Sequence, residues 1–338
     1  MKRFFNNVIF WVNLLAALLL LISFVLPFLP PKTFPTLSLL SLAVSVLIII
    51  NIIFAIFWVI QFKKRFLVSL TVLAFSYFYF NVFYEVSVEG DASQFENSLS
   101  VLSYNVRLFN AYESNPKTDA TTVFSEILTQ QDPDILCIQE YYRGNTIDFS
   151  TYPHKYVHFR NKNAKLGHAI FSKYPLVNTG AFDFKHTANN TLYADVIKNK
   201  DTVRIYSVHL QSLGIIPRVS FLQKSDNEKL RQRLSRGFGE QQLQIEAILE
   251  HKKSTDHPVL ICGDFNNTPF SYIYRQVNNT MNDAFRERGN GLGTTFKFES
   301  FPMRIDYIFA SPAFEVLSFK TLTNTFSDHF AIKATVAW

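Results

Sequence analysis

The stretch Leu260-Ile261-Cys262-Gly263-Asp264-Phe265-Asn266 carries the clearest structural signal in this chain of 338 residues. It begins as a continuous apolar run, which is typical of a strand buried on both faces. Gly263 permits a tight backbone conformation, and Asp264 and Asn266 would present to the same side if extended geometry continues. An ordinary loop is the alternative, because Asp and Asn are frequent turn residues.

Polar residues flank other apolar runs along the chain. The runs span residues 99–104, 135–138, 203–208, 307–309 and 331–336, and the polar residues beside them are Asn105, Glu140, His209, Asp306, Asp328 and His329. Segments 120–130 and 240–252 have the pattern of helices between strands, which predicts an α/β sheet architecture. We therefore expect the polar groups to project from strand ends into one crevice.

These residue types suit the hydrolysis of a phosphoester, which requires a cation, an oriented water and help for the departing oxygen. Glu140 offers a hard carboxylate oxygen, which suits Mg²⁺ and, as an alternative, Mn²⁺. Asp264 has the chemistry to orient or deprotonate water, while the amide of Asn266 donates to a phosphate oxygen. Taken alone, Glu140 would be interpreted as an exposed strand-terminal residue and Asn105 as a turn former.

Two histidines extend this set. His329 needs a carboxylate to fix its tautomer or to stabilise its charged form, and both Asp306 and Asp328 are candidates. His209 ends an apolar run and would donate to a phosphate oxygen, with a structural hydrogen bond as its alternative role. Each histidine alone would more often be structural, so the hypothesis depends on the whole set.

Residues 1–85 differ sharply from the rest of the chain. Between their charged residues lie uncharged, mostly apolar stretches of 28, 30 and 19 residues. Each stretch is long enough to span a bilayer as a helix of about 20 residues. A secretory signal is the alternative for the first stretch, but its apolar body is too long and lacks a small-x-small cleavage site. We predict a three-helix transmembrane anchor at 1–85, a linker at 86–98 and one catalytic domain at 99–338.

The charges that flank these stretches predict an orientation. The basic residues at positions 2, 3 and 63–65 would share one side of the membrane, whereas Lys32 stands alone on the other. Because basic flanks are retained in the cytoplasm, three spans would carry the chain to the exocytoplasmic side. We therefore predict an integral, multi-pass membrane protein whose catalytic domain is periplasmic or extracellular.

The formal net charge of +6 comes almost entirely from the membrane region. Residues 1–85 contain six Lys or Arg and one acidic residue, and subtracting these from totals of 33 and 27 leaves 27 basic and 26 acidic residues. A near-neutral domain lacks the broad basic footprint of a dedicated duplex binder. The two cysteines, Cys137 and Cys262, fit neither a zinc site nor a disulfide framework, and whether they pair is open.

Seven short pieces of sequence, in order, resemble the endonuclease/exonuclease/phosphatase (DNase I-like) superfamily. The pieces are Ser103-Tyr104-Asn105-Val106, Ile138-Gln139-Glu140, Gly167 with residues 169–175, Val208-His209-Leu210, Gly263-Asp264-Phe265-Asn266, Arg304-Ile305-Asp306-Tyr307 and Ser327-Asp328-His329. The resemblance covers residues 99–338. It implies a four-layer α/β sandwich with two central β-sheets and catalysis at one edge, preceded here by the N-terminal transmembrane helical region.

The resemblance also implies a metal site. Glu140 would ligate the principal Mg²⁺ with Asn105 in its shell, and Asp328 would assist metal or proton chemistry. Some family members carry an acidic residue two positions after the motif Asn, where this chain has Arg107. A second metal would therefore lack that ligand, and Arg107 would instead contact a substrate phosphate.

On the same basis, Asp264 would position or activate water, and Asn266 and His209 would hold the phosphate. Asp306 would orient His329. The implied activity is that of a membrane-anchored, divalent-metal-dependent phosphoesterase, nuclease-like or lipid/inositol phosphoesterase-like. It would hydrolyse a phosphodiester or phosphomonoester by direct attack of water.

The expected partners follow from these two parts of the chain. The N-terminal helices would bind the lipid bilayer, and the catalytic domain would bind a nucleic acid or a phospholipid or inositol phosphate. A non-catalytic membrane receptor or scaffold that retains the fold is the alternative function. The oligomeric state is left open.

Overall fold

The computed structural model of the chain describes residues 1–80, 83–114, 116, 118–215, 219–224, 226–299 and 301–338. Among these residues the α-helices are α1 (Lys2–Ser23), α2 (Pro35–Ser38), α3 (Leu40–Ile60), α4 (Phe66–Phe80), α5 (Ala120–Gln131), α6 (Val219–Lys224), α7 (Asn227–Lys252), α8 (Tyr272–Asn278) and α9 (Ala284–Arg288). The strands are β1 (Ser98–Asn105), β2 (Ile135–Tyr142), β3 (His154–His158), β4 (Leu166–Ser172), β5 (Leu176–Asp183), β6 (Asn190–Lys198), β7 (Asp201–His209), β8 (Val259–Asp264), β9 (Asn282–Asp283), β10 (Phe296–Phe298), β11 (Phe301–Met303), β12 (Asp306–Ala310), β13 (Glu315–Leu322) and β14 (Ala331–Ala337).

Within the described residues, most strands belong to two mixed sheets of six strands each. The first sheet has the strand order β13-β14-β1-β2-β4-β3, and the second has the order β5-β6-β7-β8-β12-β9. β1 runs parallel to β2, and β7 runs parallel to β8. Because the carboxyl ends of parallel neighbours point the same way, polar residues at the ends of these strands share one edge of each sheet.

The two sheets face each other across an apolar core. Val101 and Cys137 from the first sheet and Ile205 and Cys262 from the second are all fully buried there. Burial of such side chains stabilises the fold by about 1.5–3 kcal/mol each relative to exposure. Both cysteines are free, and the Cys262 thiol donates to the carbonyl oxygen of Tyr206 at 3.3 Å. The open question of their pairing is thereby answered, since no disulfide joins them.

Helices cover the outer face of each sheet. Phe124 and Ile127 of α5 pack on Leu136 of the first sheet. On the far side, Ile245 of α7 and Ile273 of α8 belong to the apolar cluster on the second sheet. The order helix, sheet, sheet, helix confirms the four-layer α/β sandwich that the resemblance implied.

The N-terminal region is helical and apolar, as predicted. Residues Arg3–Phe28 (26 residues) and α3 (21 residues) are long and apolar enough to cross a membrane. The third predicted span contains α4, whose described part has 15 residues and is followed by residues 81–82, which lie outside the described part of the chain. That this segment crosses a membrane stays a prediction.

Buried polar side chains join α1, α3 and α4. The Asn13 amide donates to Ser69 Oγ at 2.6 Å and accepts from Trp58 Nε1 at 2.9 Å, and Ser69 Oγ donates to Asn51 Oδ1 at 3.1 Å. An unpaired polar group in apolar surroundings is costly, so this network favours one arrangement of the three helices.

The helical region packs directly on the second sheet's outer layer. The rings of Phe80 and Phe270 lie 4.8 Å apart in an edge-to-face contact. The Lys32 amide N–H donates to Gln242 Oε1 of α7 at 2.9 Å. Leu20 of α1 belongs to the same buried cluster as the outer face of that sheet. The N-terminal helices and the sandwich therefore share one continuous apolar interior.

Candidate active site

Strand register brings the predicted polar residues together. His209 at the end of β7 pairs with Asp264 at the end of β8, and Asp264 pairs in turn with Asp306 at the start of β12. In the other sheet, Asn105 at the end of β1 lies one register position from Glu140 of β2. Five residues from distant parts of the sequence thus meet at one edge of the sandwich.

The backbone at this edge adopts rare conformations. Gly263 has a φ of +141°, and a Cβ there would lie 1.9 Å from the carbonyl oxygen of Val208, so a larger residue does not fit. Glu140 and Asn266 have φ values of +53° and +50°, which are uncommon outside glycine. The pairing of β2 with β4 also shifts register around Glu140. Such bulges and strained residues re-aim side chains at functional sites.

Asp264 lies at the centre of the cluster and is almost fully buried. Its carboxylate accepts hydrogen bonds from the Asn266 backbone N–H at 2.7 Å, from Asn105 Nδ2 at 3.0 Å and from Asn266 Nδ2 at 3.2 Å. His209 Nε2 and His329 Nε2 lie 3.6 and 3.7 Å from Asp264 Oδ2. The carboxylate is held rigidly between two imidazoles, which is the arrangement needed to orient a small reacting molecule.

Asp306 holds His329 from the other side. His329 Nδ1 lies 3.0 Å from Asp306 Oδ2, which fixes the ring and leaves Nε2 directed toward Asp264. Thr295 Oγ1 accepts the backbone N–H groups of Ile305 and Asp306 at 3.0 Å and so positions the start of β12. Of the two carboxylates proposed from sequence as partners of His329, Asp306 makes the hydrogen bond.

Burial and neighbouring charges shift the pKa values of the groups in this cluster. Burial lowers the pKa of His329, but the carboxylates of Asp306 and Asp264 outweigh it and raise the pKa to about 10. Burial raises the pKa of Asp264, an effect only partly offset by His329. Burial also lowers the pKa of His209 well below its usual value. Near pH 7 the site therefore combines a cationic imidazole, a neutral imidazole and a carboxyl group able to exchange a proton.

Glu140 and Asn105 provide the oxygen-rich part of the site. Glu140 Oε1 lies 3.5 Å from Asn105 Nδ2 and 3.9 Å from His209 Nε2. Burial raises the pKa of Glu140, which is the expected effect where little positive charge compensates a buried carboxylate. The carboxylates of Glu140 and Asp264 flank the Asn105 amide nitrogen, and carboxylate oxygens are the ligands that a hard divalent cation prefers.

Asp264, Asp306 and His329 also offer ligand atoms that lie within 4.8 Å of one another. His329 Nδ1 is hydrogen-bonded to Asp306, which leaves Nε2 as the nitrogen that faces Asp264. The trio therefore has the groups for proton chemistry and also for holding an ion.

Asp328 and Arg107 lie at the margin of the cluster. Asp328 Oδ2 is 3.8 Å from Arg107 Nε, and Asp328 Oδ1 accepts a hydrogen bond from Ser327 Oγ at 3.3 Å. Arg107 is half-exposed and also forms an ion pair with Glu113. Its backbone N–H donates to Asn105 Oδ1 at 3.1 Å. Two carboxylates thus engage the guanidinium, and its contact with a substrate phosphate stays a prediction.

Comparison with known families shows which family most of the chain belongs to. The sequence model of the Endonuclease/Exonuclease/phosphatase family matches residues 102–329. The chain belongs to this family. A second model, a domain of unknown function (DUF8431), matches residues 6–83. Among curated protein sequences, none matches the chain significantly.

Solved structures of endonuclease/exonuclease/phosphatase proteins have the same fold. The protein from Bacteroides vulgatus is 17% identical, with a TM-score of 0.55 over 71% of this chain and 99% of its own. The protein from Beutenbergia cavernae DSM 12333 is 18% identical, with a TM-score of 0.53 over 72% of each chain. The human Nocturnin catalytic domain with bound sulfate anion is 17% identical, with a TM-score of 0.53 over 75% and 96%. At these identities the likeness establishes the fold alone.

Sequence reasoning gave no role to several residues that shape this family site. Ser327 Oγ donates to the carbonyl oxygen of Asn105 at 2.9 Å and thereby joins β1 to the loop before β14. Gln241 Nε2 of α7 donates to the carbonyl oxygen of Asn266 at 3.1 Å. The ring of Phe296 lies 4.8 Å from the ring of His329. These contacts join distant segments, so no local sequence pattern signals them.

His168 is a second omission. Its Nδ1 lies 2.9 Å from Asn190 Oδ1 and its Nε2 lies 2.6 Å from Ser207 Oγ, which also accepts from Gln139 Nε2 at 3.1 Å. Burial lowers the pKa of His168 to about 4. The network joins both sheets directly behind the site. Sequence reasoning left His168 unassigned, because it saw no chemical context for it between Gly167 and the apolar residues 169–171.

Proposed function

We propose that this chain is a membrane-anchored, divalent-metal-dependent phosphoesterase that hydrolyses its substrate by direct attack of water. The observation that carries the proposal is the convergence on Asp264 of two imidazoles, within 3.6 and 3.7 Å, beside the partly buried carboxylate of Glu140. Family membership supports phosphoester hydrolysis as the reaction class. Packing alone gives no reason to bury so many unlike charges at one sheet edge.

Glu140 would hold Mg²⁺, with Mn²⁺ as an alternative, and Asn105 and Asp328 would lie in its shell. When bound, the cation supplies neutralisation of the non-bridging phosphate oxygens. Asn105 now directs its amide nitrogen toward both carboxylates. It therefore also keeps Glu140 and Asp264 at a fixed separation.

The reaction forms a bond between a water oxygen and phosphorus and breaks the bond between phosphorus and the leaving oxygen. Asp264 accepts the proton that the water loses. Asn266 and His209 donate hydrogen bonds to phosphate oxygens, and His329, held by Asp306, gives a proton to the leaving oxygen. Transfer of the proton from Asp264 to His329 through solvent restores the starting state.

Two features support the membrane topology proposed for residues 1–85. Large apolar side chains such as Trp11, Leu15 and Ile53 are exposed on α1 and α3, as expected for lipid contact. Arg65 Nη1 donates to the carbonyl oxygen of Asn6 at 2.7 Å, so the basic residues gather at one end of the helices. The catalytic domain packs at the opposite end. The positive-inside rule then favours a multi-pass protein with an exocytoplasmic catalytic domain.

The test uses the full chain purified in detergent micelles with bis(p-nitrophenyl) phosphate as substrate. We expect turnover with Mg²⁺ and a loss of about 10²–10⁴-fold in kcat in Asp264→Asn, the range typical of a lost general base. Chelation of Mg²⁺ by EDTA should also abolish turnover. Equal rates in all three conditions would refute the site. A protein that turns over no phosphoester at all would favour a non-catalytic receptor or scaffold.

A further inference from the structure

An apolar cavity of about 340 Å³ lies between the first turns of α3 and the catalytic domain. Leu42, Ala43 and Val46 of α3 line one wall, and Phe298 and Met303 of the β10–β11 hairpin line another. The volume lies within the range of about 300–1,000 Å³ typical of pockets for small molecules. The cavity is therefore large enough to bind part of a ligand.

The cavity leads directly to the catalytic cluster. Three residues that line it, Asn266, Phe296 and Ile305, are in contact with catalytic residues or next to them in sequence. Asn266 Nδ2 donates to Asp264 Oδ2 at 3.2 Å, and the ring of Phe296 lies 4.8 Å from that of His329. A ligand with its apolar part in the cavity would place the adjoining atoms beside Asp264 and His329.

A second cleft, of about 210 Å³, also adjoins the cluster. Arg160, Lys165 and Asn190 line it together with His209. The two cavities beside the site thus differ, because the first is lined almost entirely by apolar groups and the second includes basic and polar side chains. This asymmetry matches an amphiphilic phosphoester, whose phosphate lies between a hydrocarbon part and a polar part.

We infer that the substrate is a lipid phosphoester whose hydrocarbon tail occupies the cavity against α3, an inference that rests on the proposed phosphoesterase function. α3 is apolar and long enough to cross a membrane, so the cavity wall continues into a lipid-facing helix. A tail can then enter from the bilayer without crossing water. A nucleic acid would instead require a basic track, whereas this wall is aliphatic and aromatic.

The experiment compares p-nitrophenyl hexadecyl phosphate with p-nitrophenyl methyl phosphate, using the full chain in detergent micelles with Mg²⁺. The two diesters have the same charge and the same leaving group and differ only in the tail. Ala43→Phe inserts a ring into the cavity from α3. We expect this variant to lower the hexadecyl-to-methyl ratio of kcat/KM by about tenfold or more, as loss of a well-filled apolar pocket does.

Ile53→Phe is the matched control, because Ile53 lies on the same helix but is 59% exposed and away from the cavity. It should keep the wild-type hexadecyl-to-methyl ratio of kcat/KM. Both variants are measured in the same micelles, so partitioning of the hexadecyl substrate into the micelles affects them equally. Val46→Phe repeats the test from the next turn of α3. If both cavity variants keep the wild-type ratio, or lose both activities in parallel, the tail site is refuted while the hydrolase stands. If the wild type hydrolyses only the monoester p-nitrophenyl phosphate, the tail site is refuted and the hydrolase stands. If it hydrolyses neither diester nor that monoester, the proposed function itself fails, and the tail site with it.

Discussion

The role predicted for Asp306 depends on one hydrogen bond, which joins its Oδ2 to His329 Nδ1 at 3.0 Å. Asp306→Asn keeps the shape of the side chain but removes the charge that orients the ring and stabilises its protonated form. We expect kcat on bis(p-nitrophenyl) phosphate to fall about 10²–10⁴-fold, as for loss of general acid–base catalysis. Asp256→Asn, at an exposed position, is the control and should retain full activity. A normal kcat in Asp306→Asn would mean that His329 needs no partner.

His168 gives a second prediction at this scale, concerning stability. Its pKa is about 4 in the folded protein and 6.5 in the unfolded chain, so the unfolded state binds more protons between these values. The contribution of the neutral His168 side chain to the free energy of unfolding is complete above pH 6.5 and is lost as the pH falls toward 4. We expect this contribution to be about 2–3 kcal/mol smaller at pH 4.5 than at pH 7. The free energy of unfolding, measured with denaturant at pH 7 and at pH 4.5, should change less between the two pH values in His168→Gln than in the wild type. An equal difference would mean that His168 does not titrate between these conditions.

Individual site residues were accessible from sequence where each follows an apolar run. Asp264, His209 and Glu140 all end or nearly end a buried strand, and that position fixes their direction once the strands pair. Phe296 and Ser327 were not accessible in this way. Their roles come from contacts with His329 and Asn105 that form only after the chain has folded.

At the scale of elements, the end of β8 depends on a glycine. Gly263→Ala would place a Cβ 1.9 Å from the Val208 carbonyl oxygen at a φ of +141°. We expect it to lower the free energy of unfolding by more than about 3 kcal/mol, through steric clash and backbone strain. Denaturant unfolding of the full chain in detergent measures this change.

Gly239→Ala provides the matched control for that experiment. Gly239 lies within α7, and a Cβ there meets no atom within 4 Å among the described residues. Replacing a glycine inside a helix should raise the free energy of unfolding by about 0.5–1 kcal/mol. Similar destabilisation by both substitutions would show that the conformation at Gly263 imposes no special demand.

The mostly apolar run 203–208 predicted β7 although it contains the buried Arg204, whereas β6 was not predicted. β6 carries Asp195 at a buried position, which interrupts the apolar pattern that marks a core strand. Arg204 of β7 neutralises it through two hydrogen bonds at 2.6 and 2.8 Å. Since the partner lies on another strand, local sequence could not reveal that the charge was tolerated. The edge strand β5 was missed for a different reason, because most of its side chains are exposed or half-exposed.

At the scale of the whole molecule, the sequence conveyed least about how the N-terminal helices lie against the site. Apolar stretches indicated the helices, and motifs indicated the site, but neither indicated that α3 would form a wall beside Asn266. Each signal is periodic or local, whereas this contact joins segments more than 200 residues apart. If the proposed membrane anchor and lipid substrate are correct, the same helix would serve both anchoring and substrate access.

The orientation of the whole molecule can be tested by cysteine labelling, because both native thiols are buried and free. Lys200→Cys places a thiol on the exposed surface of the catalytic domain, and Lys64→Cys places one at the basic end of the helices. We expect a membrane-impermeant maleimide to label the first in intact cells and the second only after permeabilisation, since basic flanks stay in the cytoplasm. The reverse pattern would place the catalytic domain in the cytoplasm. Labelling of both in intact cells would show that the two ends lie on one side and that the helices do not span the bilayer an odd number of times.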